Sequence, residues 1–359
     1  MKKRYIRLLK RLFKRPPVSF WVAAFIILLV GATFVAYSTR FAERIISVGG
    51  NRHTDNDEAR YERHPLSGIR CEGAQQRPFA VMLSQDSETR PLSGIGQADM
   101  VVELPVVEGG ITRLMALFAC SQPEEIGSIR SSREDFIPLA AGFDAIYAHW
   151  GGSEGALELL STGGVDNIDA LANPNQTFYR KRGIPQPHNG FTSFERLYST
   201  AEQLGYRPNV APGGFSHQDG DAKKHDGSST ISVRYPGASS ASYIYDPGTN
   251  RYMRWRAGTP EIDKTTGAQV SVAVLAVLRT QTRPIGGGYN DVDVAGAGEV
   301  LVFQNGVLVR GRWEKAARPL NAPLVFYDKA GDTLELVAGP AWISYINETM
   351  NVEWGDERL

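Results

Sequence analysis

Arginine and acidic side chains are concentrated in one short stretch of the chain, EIGSIRSSREDF at residues 125–136. Arg130 and Arg133 lie three residues apart in a Gly/Ser-rich turn, and Glu134 and Asp135 follow directly, ahead of a predicted helix. Guanidinium groups offer paired donors to a phosphate or a carboxylate, and a helix N-terminus attracts anions. The alternative is a capping box in which the two serines bond with the two acids and the arginines pair with those acids. Spacing by itself favours the capped turn.

A glycine pair with a histidine forms the second candidate. In YAHWGGSEGALELL (147–160), His149, Gly151 and Gly152 lie between an apolar run and a predicted helix. Open α/β sheets bind ligands at this end of their strands, and glycines let the backbone approach a ligand closely. A tight turn beside a structural histidine explains the same residues equally well.

Two further segments carry polar side chains at turns. In VVEGGITRLMA (106–116), Glu108 and Arg113 flank a Gly-Gly turn between apolar strands, and spacing favours an ordinary hairpin with an exposed ion pair over ligand contact. In FYRKRGIPQPHNGFTSFE (178–195), three consecutive basic residues precede His188 and Asn189. A run of charges is usually a solvated face, and contact with a ligand is the alternative.

Acidic side chains that can act as a general acid or base are less distinct. Asp86, Asp99 and Glu103 can supply a pair of carboxylates, but no spacing singles out a pair. The chain has no Walker loop, no GxSxG elbow and no HExxH sequence. Each candidate is therefore weak when it is taken alone.

The elements that must position these residues alternate strand-like runs, such as FAVML and MVVELPVV, with helix-like segments. One amphipathic helix is predicted at 193–206. This alternation predicts an α/β N-terminal domain, a mixed sheet with helices. Further along, turns at 246–250, 304–306 and 329–332 between apolar runs predict hairpins and a smaller all-β C-terminal domain. The predicted boundaries are 77–208 for the first domain, 209–229 for a linker, 230–350 for the second domain and 351–359 for a tail.

The start of the chain predicts a membrane anchor. Residues 18–37 carry no charge and are long enough, at about 1.5 Å per residue, to cross a bilayer as a helix. Eight basic residues precede this span, so the tail of residues 1–17 is expected in the cytoplasm and the bulk of the chain outside, on a stalk at 38–76. A cleaved signal peptide is the alternative. We predict a single-pass protein of a bacterial cytoplasmic membrane.

Charge and cysteine content limit the partners. The formal net charge is zero, and because eight positive charges lie in the tail, the rest of the chain is acidic, which argues against nucleic acid as a partner. Cys71 and Cys120 are the only cysteines, and both lie on the predicted outer side. An oxidising compartment favours a disulfide between them, with two separate buried thiols as the alternative.

Several of these segments together resemble the YerB-like family of bacterial envelope proteins. The resemblance rests on RPFAVMLSQDSETRPLSGIGQADMVVELPVVEGGITRLMALF, EEIGSIRSSREDFIPLAAGFDAIYAHWGGSEGAL, FYRKRGIPQPHNGFTSFERL and GEVLVFQNGVLVRGRWEK, in this order, across roughly residues 64–347. The family implies an N-terminal α/β domain, a β-rich C-terminal domain and no established activity. Its members are often lipoproteins, whereas this chain lacks a lipid-accepting cysteine directly after the predicted span.

The chain is also similar, in the order of its motifs, to LytR-CpsA-Psr enzymes, which transfer glycopolymers from polyprenyl pyrophosphate. The similarity runs through FAVML, MVVEL, the Arg130–Asp135 turn and Tyr147–Gly152, although Gln97 stands where those enzymes have an arginine. It implies that Arg113, Arg130 and Arg133 hold phosphate, and that Asp99 or Asp135 holds a divalent metal such as Mg²⁺ or acts as a base. One hypothesis is therefore the binding or processing of a polyprenyl phosphate-linked or peptidoglycan intermediate. The alternative is a non-catalytic binding or scaffold module.

Overall fold

The computed structural model describes residues 61–211, 213–223 and 230–359. The predicted tail (1–17), the predicted membrane span (18–37) and most of the predicted stalk lie outside these residues. Within the described part of the chain, no helix combines the length and the apolar character needed to cross a membrane.

Strands dominate the described residues. In the first half they are β1 (Phe79–Leu83), β2 (Met100–Leu104), β3 (Arg113–Phe118), β4 (Ile126–Gly127), β5 (Ile146–His149), β6 (Asn167–Asp169), β7 (Tyr179–Arg180), β8 (Gly190–Thr192) and β9 (His217–Gln218). In the second half they are β10 (Thr230–Val233), β11 (Ala241–Asp246), β12 (Arg251–Arg256), β13 (Thr259–Pro260), β14 (Ser271–Val272), β15 (Val274–Thr280), β16 (Thr282–Gly286), β17 (Tyr289–Val292), β18 (Gly296–Gln304), β19 (Val307–Lys315), β20 (Val325–Tyr327), β21 (Leu336–Val337), β22 (Ala341–Asn347), β23 (Val352–Trp354) and β24 (Glu357–Arg358).

Helices are few and short. The α-helices of the described residues are α1 (Ile137–Gly142), α2 (Glu154–Ser161) and α3 (Phe194–Gln203). Single 3-10 turns lie at Ser87–Thr89, Ile95–Gln97, Glu134–Phe136, Pro174–Gln176 and Gly237–Ser239. The predicted amphipathic helix is confirmed as α3, which begins after Ser193, whose side chain accepts a hydrogen bond from the Arg196 amide.

One ten-stranded sheet contains strands from both halves of the chain. Its order is β20-β19-β18-β15-β22-β2-β3-β1-β5-β6, so five strands of the second half continue directly into five of the first. The halves join where β22 pairs in parallel with β2, with Trp342 opposite Val101 and Ser344 opposite Glu103. The predicted domain boundaries remain predictions, but hydrogen bonds of a shared sheet cross between the two predicted domains.

A seven-stranded antiparallel sheet comes entirely from the second half. Its order is β13-β12-β11-β10-β23-β24, and β14 also pairs with β12. Three smaller sheets are the hairpin β16-β17, the parallel pair β21-β9, and β4-β8-β7. Two of the predicted hairpin turns are confirmed, because β11 pairs with β12 and β18 with β19 around them.

The prediction of an N-terminal α/β domain with helices is wrong. Its three α-helices have 6, 8 and 10 residues, and the strands form most of the ordered structure. The error has a physical cause: β1, β2 and β3 are buried at every position, a pattern typical of parallel sheets covered by helices on both faces.

A second sheet, rather than a layer of helices, covers much of one face. There, side chains of β1 and β3 such as Val81 and Ala116 share a core with Ile231, Tyr243 and Val272 of the seven-stranded sheet. On the opposite face, α1 and α2 pack over only part of the ten-stranded sheet. The apolar sequence of these strands therefore predicted that both of their faces are covered, but it could not predict which element covers them.

The cysteines and the end of the predicted stalk belong to this packed structure. Cys71 and Cys120 form the predicted disulfide. His64, Leu66 and Ala74, in the described part of the predicted stalk, are buried. The segment from residue 61 therefore packs against the sheets.

Candidate anion-binding site

Arg113 is a buried cation that has no ion-pair partner among the described residues. It opens β3 opposite Leu104 of β2, and only 5% of its surface is exposed. Among the described residues no acceptor forms a hydrogen bond or an ion pair with its guanidinium, and its Nε is fully buried without a partner. Burial, together with the positive charges of Arg130 and Arg133, lowers the pKa of Arg113 to about 10. The predicted hairpin is present, but the predicted ion pair with Glu108 is not, and Glu108 is exposed.

Arg130 and Arg133 bring two more guanidiniums to the same place. The Arg130 amide donates to the Met82 carbonyl of β1, and Arg130 forms an ion pair with Asp86 at 3.0 Å. Arg133 lies 4.5 Å from the centre of the Tyr289 ring and donates to the Ser132 carbonyl. The Nε atoms of both arginines are buried and unpaired. We call Arg113, Arg130 and Arg133 the arginine cluster.

The predicted capping box is not observed. The residue before the Glu134–Phe136 turn is Arg133, and no side chain caps this turn. Glu134 accepts a hydrogen bond from Ser153 at 2.7 Å, and the ion-pair partner of Arg130 is Asp86, 44 residues earlier in the chain. The acids beside the arginines therefore do not neutralise them.

The glycines and His149 form contacts within the protein that support the segment between Arg130 and Arg133. The Gly151 carbonyl accepts from the Ser132 amide at 2.9 Å, and Gly152 bridges to Ser132, which fixes the segment between the two arginines. Gly151 has a positive φ of 60°, which glycine adopts without strain. His149 is buried, with Nδ1 2.9 Å from the Gly151 carbonyl and Nε2 3.3 Å from Asn167. Its role is structural.

Asp86 is the acid closest to the cluster. Besides Arg130, its carboxylate accepts from the Ser84 hydroxyl at 2.7 Å and lies 3.7 Å from Nδ1 of His188. That nitrogen is buried and has no hydrogen bond. Asn189, predicted beside it as a ligand contact, instead accepts a hydrogen bond from Arg180. His188 thus reaches the site only through Asp86.

Asp135 lies at the edge of the cluster. Burial and the negative charge of Asp291 raise its pKa to about 7. The Tyr147 hydroxyl, which donates to Ser132 at 3.0 Å, feels the charges of Arg113, Arg133 and Asp135. At neutral pH a large fraction of Asp135 is therefore protonated, and it contributes less than a full negative charge.

We expect the stability of the protein to fall as the pH rises, because Asp135 then ionises. A carboxyl whose pKa is raised on folding stabilises the protein below its unfolded pKa of about 4, and loses this contribution as the pH rises through about 7. When the pH rises from 5 to 8, the free energy of unfolding should fall in both proteins. The fall should be smaller in Asp135→Asn than in the wild type by at least about 1 kcal/mol, since one pKa unit corresponds to about 1.4 kcal/mol. Urea denaturation at both pH values measures this, with the exposed Asp332→Asn as the control. Equal losses in both proteins would contradict the assignment.

Asp99, the other predicted catalytic acid, is not part of the site. It precedes β2, whereas Arg113 pairs with the last residue of β2, so the strand separates them. Its carboxylate accepts from the Ala119 and Cys120 amides at 2.6 and 3.0 Å, and burial raises its pKa to about 6. No group of three or more His, Cys, Asp and Glu side chains among the described residues is arranged to hold a metal ion.

The sequence did not indicate the partners from other segments. The sequence indicates Asp86 only as a general acid candidate, and Tyr289 and Asp291 lie in the hairpin β16-β17, more than 150 residues after the arginines. This hairpin docks through the Glu108 amide, which donates to the Gly288 carbonyl at 2.9 Å. No local pattern marks such a contact.

A cavity of 760 Å³ lies away from the arginine cluster. Its lining includes Glu72, Glu124 and Glu195 and none of the three clustered arginines. An open cavity is stable without a ligand, whereas a buried cation needs a negative partner. The unpaired charge of the arginines, rather than the size of a cavity, therefore marks the candidate site.

A second group of buried charges is complete without any ligand. Glu103 accepts from Arg254 and Arg256 at 3.0 Å each, and Glu261 accepts from Arg254 at 2.6 Å. Thr112 and the Trp342 indole also donate to Glu103. We call Glu103, Arg254, Arg256 and Glu261 the buried ion network. Its two positive and two negative charges balance each other. Because Glu103 lies in β2 and the two arginines lie in β12, the network also joins the two sheets.

Comparisons with known proteins show where the chain is similar. The model for "Protein of unknown function (DUF3048) N-terminal domain" matches residues 66–207, and that for its C-terminal domain matches 231–343. The "Putative lipoprotein YerB" of Bacillus subtilis (strain 168) is 32% identical over 297 residues, which cover 81% of this chain and 88% of the relative. The crystal structure of YerB protein from Bacillus subtilis matches with a TM-score of 0.71 and 29% identity, covering 81% of this chain and 99% of that one. The likeness to LytR-CpsA-Psr enzymes is not supported by these comparisons.

Proposed function

The chain belongs to the DUF3048 family, as its resemblance to YerB-like proteins predicted, and we propose that it is an envelope-associated protein whose arginine cluster binds an anion. The relative carries the name "Putative lipoprotein YerB", which supports a membrane-anchored, extracytoplasmic location for this chain too. The predicted anchor here is the N-terminal span, with the N-terminus inside. The two matched segments also fit the predicted two-domain layout.

The observation that carries the proposal is the uncompensated charge of Arg113. Removing a cation from water costs several kcal/mol unless a negative group pairs with it, and buried charges in proteins are therefore normally paired. Here three guanidiniums lie close together, and one acid, Asp86, forms an ion pair with one of them, Arg130. A bound anion supplies the missing negative charge, and the free Nε–H groups supply donors for it.

The ligand that we propose is a phosphate-bearing component of the envelope, such as a polyprenyl phosphate-linked or peptidoglycan intermediate. Arginine suits phosphate because its donors match two phosphate oxygens at once, and such charge-assisted bonds are about twice as strong as neutral ones. We favour binding without catalysis, because Asp99 lies at the other end of β2 from the cluster.

Anion titration of the full chain in detergent tests the proposal. Inorganic phosphate should raise the melting temperature of the wild type, and calorimetry should show that Arg113→Gln weakens phosphate binding at least about tenfold, because each charge-assisted hydrogen bond contributes about 1.5–3 kcal/mol. The control is Arg310→Gln, which removes an arginine already paired with Glu299 and Glu357 on the surface. Phosphate binding that survives in Arg113→Gln, or is lost equally in both variants, would refute the assignment.

A further inference from the structure

Arg180, an exposed arginine that has no acidic partner among the described residues, lies beside the cluster, and we propose that it forms a second anion subsite for the same ligand. The subsite is a cleft between the 129–131 segment, Trp150, Arg180 and residues 186–187, with a volume of about 70 Å³. We call it the Trp150 cleft. The inference rests on the proposed anion binding by the arginine cluster and adds that the ligand carries two anionic groups.

The floor of the Trp150 cleft is a fixed aromatic ring. The guanidinium of Arg180 lies 4.3 Å from the centre of the Trp150 ring, and Phe178 meets the indole edge-on at 6.0 Å. Gly190 packs so tightly against the indole that a Cβ at this position would collide with it. The ring is therefore held in place, and its face attracts the Arg180 guanidinium that lies over it.

Arg180 itself has no negative partner among the described residues. Its single side-chain hydrogen bond is to the neutral amide oxygen of Asn189, at 2.7 Å. The next residue differs, because Lys181 is paired with Glu125 at 2.8 Å. None of the residues that line the cleft is acidic, and Ser131 and Gln186 add a hydroxyl and an amide. The chemistry of the lining thus suits an anion.

Arg130 connects the cleft to the arginine cluster. It lines the Trp150 cleft, and its charge also acts on Arg113. In this proposal, a ligand with one anionic group at the arginine cluster places a second one at Arg180, and Arg130, which belongs to the cluster and lines the cleft, lies next to both. The ligand class is a compound with two phosphate-type groups joined by a short link, as in a pyrophosphate or a longer polyphosphate.

Calorimetry with inorganic phosphate, pyrophosphate and tripolyphosphate tests this inference on the full chain in detergent. The wild type should bind one of the two condensed phosphates at least about tenfold more tightly than phosphate, which is the gain from about one charge-assisted hydrogen bond. Arg180→Gln should lose this preference and bind phosphate as the wild type does. The matched control is Arg182→Gln, which removes the same charge from an exposed arginine two residues away.

The outcomes separate the inference from the proposed function. Suppose that phosphate binds to the wild type. If Arg180→Gln then keeps the preference for a condensed phosphate, or weakens the binding of all three anions by the same factor, there is no second subsite. The same conclusion follows if Arg182→Gln removes the preference as well, because the effect is then one of overall charge. If none of the three anions binds to the wild type, the proposed function is wrong and the inference is wrong with it.

Discussion

Replacing Glu103 by glutamine is expected to lower the free energy of unfolding by about 3–5 kcal/mol, the usual effect of removing one partner from a buried ion pair. Glu103 is fully buried and accepts from Arg254 and Arg256 at 3.0 Å each. Its pKa is set by burial, which raises it, and by the two guanidiniums, which together lower it below its usual value. Without this carboxylate, Glu261 is the one acid left in the network to balance two buried arginines.

Chemical denaturation of the full chain measures the effect, and Glu299→Gln is the matched control. Glu299 also contacts two arginines, Arg279 and Arg310, but 42% of its side chain is exposed. Exposed pairs contribute about 0–1 kcal/mol, so this control should remain close to the wild type. A loss of stability in Glu103→Gln as small as that in Glu299→Gln would mean that the buried ion network does not hold the two sheets together.

Arg113→Met is expected to have the opposite effect on the free protein. Methionine keeps an unbranched stem in the same space and removes a charge that lacks a counter-ion, so the free energy of unfolding should rise by about 1–3 kcal/mol. The same variant should lose phosphate binding. A residue that weakens the free protein and is needed for its ligand is what an anion site requires, because the burial of the charge is compensated only in the complex.

Arg77→Met provides the comparison within the same protein. Arg77 is as buried as Arg113, at 5%, but pairs with Asp166 at 2.5 Å and donates to the Asp144 carbonyl at 2.9 Å. Its replacement should therefore destabilise the protein by about 2 kcal/mol or more. Urea denaturation with and without phosphate distinguishes the two arginines, since a ligand adds stability only to a form that binds it. If both variants are destabilised alike, Arg113 has a partner in the protein and the site is not an anion site.

The sequence predicted the local elements well, for reasons that are themselves local. The hairpin turns at 246–250 and 304–306 follow from turn residues between apolar runs, and α3 follows from its apolar stripe and the Ser193 cap. The disulfide followed from two cysteines in a chain predicted to lie outside the cytoplasm. Each of these signals lies within a few residues or depends on composition.

The α/β prediction failed because burial does not identify the covering layer. Strands such as β2 are apolar on both faces whether helices or a second sheet packs against them. Much of the cover here comes from strands that lie more than 100 residues later, for example β10 and β11. The periodicity of residues within one strand carries no information about contacts between segments that are so far apart in the sequence.

By itself, the sequence determined the family, several of the strands and hairpins, and the three arginines of the candidate site. Only the tertiary structure decided which of these charges are neutralised. Glu103 and Arg113 lie ten residues apart around one turn, and nothing in their spacing distinguishes them. Glu103 meets two arginines from β12, whereas Arg113 meets two more arginines. The physical reason is that the energy of a buried charge depends on the partners that folding brings to it, and here those partners come from distant segments of the chain.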